Sequence, residues 1–64
     1  MKVILNKESL KYGCRYDQEL VKNNIDGGKT YEVENIEHYG AWSYIRLKDF
    51  PDMTFDMRYF VECE

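Results

Sequence analysis

Period-two alternation between Ala41 and Lys48, in the stretch AWSYIRLK, limits more than any other feature how this chain can fold. Successive side chains of a strand point to opposite faces, so Ala41, Ser43, Ile45 and Leu47 share one face and Trp42, Tyr44, Arg46 and Lys48 the other. The aliphatic pair is then directed into a core, while the two largest rings fall on the polar face. Just upstream, KTYEVEN (Lys29 to Asn35) alternates in the same way, with Tyr31 and Val33 on one side and Thr30, Glu32 and Glu34 on the other. Ile36 is out of phase with Val33, which predicts a bulge or a strand end near Asn35.

Around this pair of strands the remaining elements are short. Lys2 to Leu5 is apolar and β-branched enough for a first strand. The polar stretch NKESLKYGCRYDQELVKNNIDGGK has no sustained periodicity. Gly13 interrupts a helical reading of Ser9 to Leu20, and Asn23-Asn24 and Gly27-Gly28 mark turns. The expectation is a long irregular loop, anchored by Leu10, Tyr12, Leu20, Val21 and Ile25. His38-Tyr39-Gly40 turns into the second alternating strand, which is expected to run to about Phe50. Pro51-Asp52 then reverses the chain into a third strand at Met53 to Asp56. A tight turn near Asp56 to Arg58 precedes a last strand ending at Cys63. Four or five antiparallel strands without a helix of useful length predict an all-β barrel or roll. The 64 residues make one domain with one core, and a chain this short buries only about 60% of its unfolded surface, so its stability is expected to be marginal. Six tyrosines, three phenylalanines and one tryptophan make rings the main packing material.

Nine basic against twelve acidic residues, a formal charge of −3 with no Lys/Arg cluster, disfavour a nucleic-acid partner, whose phosphates call for a basic stripe. The start MKVILNKESL has too few apolar residues for a secretory core, and no apolar run approaches bilayer length, so a cytoplasmic location away from membranes is expected. In that compartment Cys14 and Cys63 are read as reduced thiols. These cysteines and His38 lack the close ligand spacing of a zinc site, and no third residue orients a Cys-His pair. No metal, cofactor or catalytic group is therefore expected, and the reading is of a protein that is not an enzyme. Gly27-Gly28-Lys29 is a turn, because it lacks the wider glycine frame of a phosphate-binding loop.

The order of parts resembles an SH3-like barrel. Lys2 to Leu5 corresponds to its first strand, Asn6 to Asn24 to its long hairpin loop, GGKTYEVENIE to its glycine-led strand and HYG to the short loop after it. AWSYIRLKDF matches the tryptophan-bearing strand, PDM the distal turn, TFD a strand, MRY the 3₁₀ turn with its tyrosine, and FVEC the final strand. The resemblance implies a five-stranded antiparallel barrel with a long loop after strand one and a 3₁₀ turn before the last strand. Trp42 and Tyr59 fall where the peptide-binding branch has its groove tryptophan and 3₁₀ tyrosine, and Tyr16-Asp17 is loosely similar to its tyrosine motif. Asp56 stands where that branch has a proline. In GGKTYEV and its aromatic ending, the chain also looks similar to small bacterial and phage-borne SH3-like proteins, which suggests a mobile-element origin.

The residues then offer two functions. In one, Trp42, Tyr44 and Tyr59, with Arg46, Tyr16 and Asp17, bind a protein or peptide, and Asp17 and Glu19 select a basic partner. The alternative for the rings is structural cover of a barrel end. In the other function, an inhibitor from a mobile element occludes a basic groove of a host enzyme with Glu32, Glu34 and Glu37. An exposed edge strand could also pair with its symmetry mate to form a homodimer.

Overall fold

A computed structural model of the chain describes residues 1–63. Strand β1 (Lys2–Leu5) leads through a 3₁₀ turn (Lys7–Lys11) into helix α1 (Arg15–Asn24). Strands β2 (Thr30–Tyr39), β3 (Trp42–Leu47) and β4 (Phe55–Asp56) follow, then a second 3₁₀ turn (Met57–Tyr59) and β5 (Phe60–Cys63). The strands make one antiparallel sheet in the order β4-β3-β2-β1-β5. Its outer strands, β4 and β5, do not pair with each other, so the sheet is open. The fold is thus an open sheet with one helix, which corrects the all-β expectation.

The helix is the element that the residue pattern hid. Tyr16, Leu20 and Val21 are the only apolar residues of RYDQELVKNN, and although they fall on one face at i, i+4 and i+5, three of ten make a stripe that is easily lost in a polar stretch. Gly13, at φ +82°, lies between the first 3₁₀ turn and α1, so it separates two helical pieces instead of abolishing both. A ten-residue helix is marginal in isolation. Here Val21 and Ile25, one turn apart, are buried in the core, and the Gln18 side-chain amide donates to the Tyr12 carbonyl at 3.1 Å, fastening the first turn. Asp17 in the first turn and Lys22 in the last suit the helix dipole.

The alternation in β3 holds: Ile45 and Leu47 are fully buried, whereas Trp42 is 52% exposed. Opposite them, Val33 pairs with Leu47 and Asn35 with Arg46, which leaves Glu34 as the extra residue of a β-bulge. The bulge resets the phase so that Ile36 again opposes Ile45, as the misfit with Val33 predicts. It also turns Glu37 and Tyr39 onto the face that carries Tyr44 and Trp42. Gly40, at φ +61°, opens the two-residue connection between Tyr39 and Trp42, a position that tight hairpins reserve for glycine.

Strand β3 stops at Leu47, short of Phe50. The chain makes two successive turns, with the Phe50 amide donating to Leu47 and the Met53 amide to Phe50, and β4 starts only at Phe55. Pro51 has no amide to offer a ladder, and the Phe50 ring turns inward instead, 6.0 Å from Tyr31 and 5.8 Å from Phe55. Phe55 meets Phe60 at 6.2 Å, so edge-on rings run through a core completed by Val3, Leu5, Val21, Ile25, Ile45, Leu47 and Tyr59. Among the described residues no helix is long and apolar enough to cross a membrane.

Candidate interaction site

The face of the sheet away from the core is built by cross-strand neighbours. Register places Trp42, Tyr44 and Arg46 of β3 opposite Tyr39, Glu37 and Asn35 of β2, and Tyr44 opposite Asp56 of β4. Tyr39 and Tyr44 meet edge to face at 6.0 Å. The Tyr39 hydroxyl donates to one Glu37 oxygen at 2.6 Å, and the Arg46 guanidinium donates to the other at 3.0 Å. These hydrogen bonds, Tyr39's first and Arg46's second, hold the Glu37 carboxyl below the ordinary carboxylate range. Arg46 also donates to the Pro51 carbonyl at 2.8 Å, tying the turn after β3 to the sheet.

A second ion pair closes the other end of this face. The buried Asp56 carboxylate accepts from the Arg58 side chain at 2.7 Å and 3.1 Å and from the Arg58 backbone amide at 2.9 Å. Burial pushes the Asp56 carboxyl up, but the Arg58 hydrogen bonds and charge outweigh it, and the net displacement is downward. Held this way, the guanidinium lies over the Trp42 ring, 4.8 Å from its centroid. Both arginines of the aromatic face are therefore already engaged by internal carboxylates.

Tyr16 and Asp17 come to this face from α1. Tyr16 is 73% exposed, and Tyr16, Asp17 and Leu20 face Tyr44, Asp52, Met53 and Thr54 across a groove of about 420 Å³. An adjoining groove of about 350 Å³ runs past Gly13, Asp17, Trp42, Tyr44 and Arg58. Asp17 and Tyr44 line both, so the two grooves form one furrow between the helix and the outer face of the sheet.

Of the side chains expected at a binding site, Trp42, Tyr44, Tyr16 and Asp17 are brought together along this furrow. Arg46 lies on the same face, with one N–H of each terminal nitrogen donated to Pro51 and Glu37. Tyr59 does not belong to an exposed platform: it is 2% exposed, and its hydroxyl donates to the Tyr12 carbonyl at 2.7 Å. The segment from Tyr12 to Gly13 lies over the ring, and burial raises the phenol's pKa. Glu19 is turned to Arg15, 3.1 Å away, and does not line the furrow beside Asp17. Arg58, Asp52 and Met53 are among the furrow residues that the residue pattern did not reveal. Asp56-x-Arg58 was the one available signal, since residues two apart at the end of a strand can share a face.

The other candidate groups stay apart. His38 Nδ1 and Ser43 Oγ are 2.8 Å apart on the exposed hairpin. Cys14 precedes α1 and Cys63 ends β5, both as free thiols. No three His, Cys, Asp or Glu side chains among the described residues converge on a metal-sized site. Gly27 and Gly28 lie in a turn, where the Asp26 carboxylate accepts from the Gly28 amide at 2.9 Å. Glu37, engaged by Tyr39 and Arg46, does not extend the acidic ridge of Glu32 and Glu34. No protein-family model, curated protein or solved structure matches this chain.

Proposed function

We propose that the chain is a non-enzymatic interaction module, SH3-like in its order of elements, that binds a protein or peptide segment along the furrow between α1 and the sheet. The observation that carries this reading is the placement of Trp42, Tyr44 and Tyr16 along one continuous concave surface, with Trp42 and Tyr16 more than half exposed. Rigid rings bury large area at small entropic cost, which suits them to anchor a partner residue. The internal pairing of Arg46 and Arg58 favours a polypeptide over a nucleic acid, because phosphate binding draws on unengaged cations.

Trp42→Ala and Tyr16→Ala test the proposal, since neither residue belongs to the core. Each variant should keep a dispersed amide spectrum and lose the binding partners that the unchanged protein retains on an affinity column. Partners retained equally by both folded variants would overturn it.

A further inference from the structure

We infer that Asp56 is a positioning residue of the interaction surface: through Arg58 it keeps one face of the Trp42 indole covered, and so bars partners that stack a proline ring or a cation there. The inference rests on the interaction-module reading and adds what that surface selects against. Trp42 lies beyond the reach of β4, whose pairing with β3 covers only Tyr44 and Ile45, so no strand neighbour supports the ring on that side. Arg58 fills the place from the second 3₁₀ turn, with its guanidinium over the ring and 4.8 Å from the centroid.

Only Asp56 fixes that arginine. The Arg58 side chain is 58% exposed, and every hydrogen bond it makes among the described residues goes to the Asp56 carboxylate. Nε donates to both oxygens at 3.1 Å and Nη2 to one of them at 2.7 Å. A two-pronged, charge-assisted pair sets the plane of a guanidinium as well as its position. Asp56 is itself buried, so loss of Arg58 would leave an uncompensated carboxylate there. A ligand that takes over this face of the indole has to break the pair first, and the advantage of a preformed ring is lost. Where the peptide-binding branch that the chain resembles has a proline, this chain has Asp56. Proline offers no acceptor to a guanidinium, so the covered ring goes with that difference, and proline-rich segments, which dock on open rings, are turned away.

Trp42 is the only tryptophan, so its fluorescence reads the arrangement without any partner. Quenching by acrylamide, iodide and caesium is measured for the unchanged protein, Arg58→Ala, Asp56→Asn and the double variant, each checked for a dispersed amide spectrum. Arg58→Ala should raise acrylamide quenching about twofold and lower iodide quenching relative to caesium, because a cation has left the ring. Asp56→Asn keeps an oxygen for the Arg58 backbone amide and loses the charge that holds the side chain, so its acrylamide quenching should also rise. In the double variant Asp56→Asn should add nothing to Arg58→Ala. Unchanged quenching in Arg58→Ala, or a full effect of Asp56→Asn once Arg58 is gone, would overturn the inference. Should Asp56→Asn fail to fold, Arg58→Gln replaces it and is expected to match Arg58→Ala, whereas quenching like that of the unchanged protein would overturn the inference. Hexaproline amide should leave the Trp42 emission of the unchanged protein in place, and a saturable shift would overturn the exclusion. None of these readings uses a partner, so they fail separately from the loss of partner binding expected of Trp42→Ala and Tyr16→Ala.

Discussion

Gly13→Ala should be among the most damaging single-methyl changes available to this chain. At φ +82° an alanine pays about 1–2 kcal/mol for the left-handed backbone. Its Cβ would also overlap the Tyr59 hydroxyl, which is buried and donates to the Tyr12 carbonyl. Relief requires Tyr59 to shift, with loss of a hydrogen bond worth about 1 kcal/mol and repacking of a buried ring that typically costs about 1–3 kcal/mol. Stiffening of the unfolded chain by alanine returns about 0.4–1 kcal/mol. The net loss is about 2–6 kcal/mol, against a total stability of about 3–10 kcal/mol for a domain of this length. Thermal unfolding followed by circular dichroism should show the midpoint falling by at least about 10 °C, and at the upper end of that loss leave the chain largely unfolded. Tyr59→Phe separates the two contributions. It removes the overlapping oxygen, so Gly13→Ala in that background should cost only the backbone part, giving a coupling of about 2–4 kcal/mol, the hydrogen-bond and repacking contributions together. A cost below about 0.5 kcal/mol, or an equal cost in both backgrounds, would refute the account of Gly13 as the roof over Tyr59.

Further expectations concern the core, the outer face and acid stability. Leu47→Ala, at a fully buried site, should lose about 2–5 kcal/mol in urea unfolding and leave the chain largely unfolded at its weaker extreme. Trp42→Ala should cost only about 1 kcal/mol, mainly the Arg58 stacking, and keep a cooperative transition. Because the Asp56 carboxyl is displaced downward on folding, the stability it contributes is fully present above about pH 4 and is lost as pH falls through its lowered folded value. Urea midpoints measured between pH 6 and pH 2 should decline below about pH 4. Asp56→Asn, though less stable at neutral pH, should show a shallower decline, and identical slopes would discount the Asp56–Arg58 pair. Arg46→Ala should speed amide exchange at Phe50 and Met53 more than in β1, since it frees the Pro51 carbonyl and Glu37 together.

The β strands were legible because their signal is local. Alternation in AWSYIRLK and KTYEVEN set the faces of β3 and β2, and the misplaced Ile36 marked the bulge before any partner strand was known. The turn at Pro51 likewise needs no distant contact to be read, whereas the turn expected at His38-Tyr39-Gly40 falls on Gly40 and Ala41, because pairing with β3 carries β2 on through Tyr39. Helix α1 was not legible, since its apolar stripe is only Tyr16, Leu20 and Val21, and a ten-residue helix so sparsely patterned depends on Val21 and Ile25 entering a core assembled from five strands. Tyr59 shows the same limit from the other side: its place on a turn says nothing about the Tyr12–Gly13 segment that covers it. Residue order alone thus settles which side chains can face inward along a strand, because the pleat repeats every two positions. Only the tertiary fold decides that Asp17 and Asp52 share a groove, that Arg58 rests on Trp42 and that Tyr59 is core, because each depends on contacts between elements that no local period encodes.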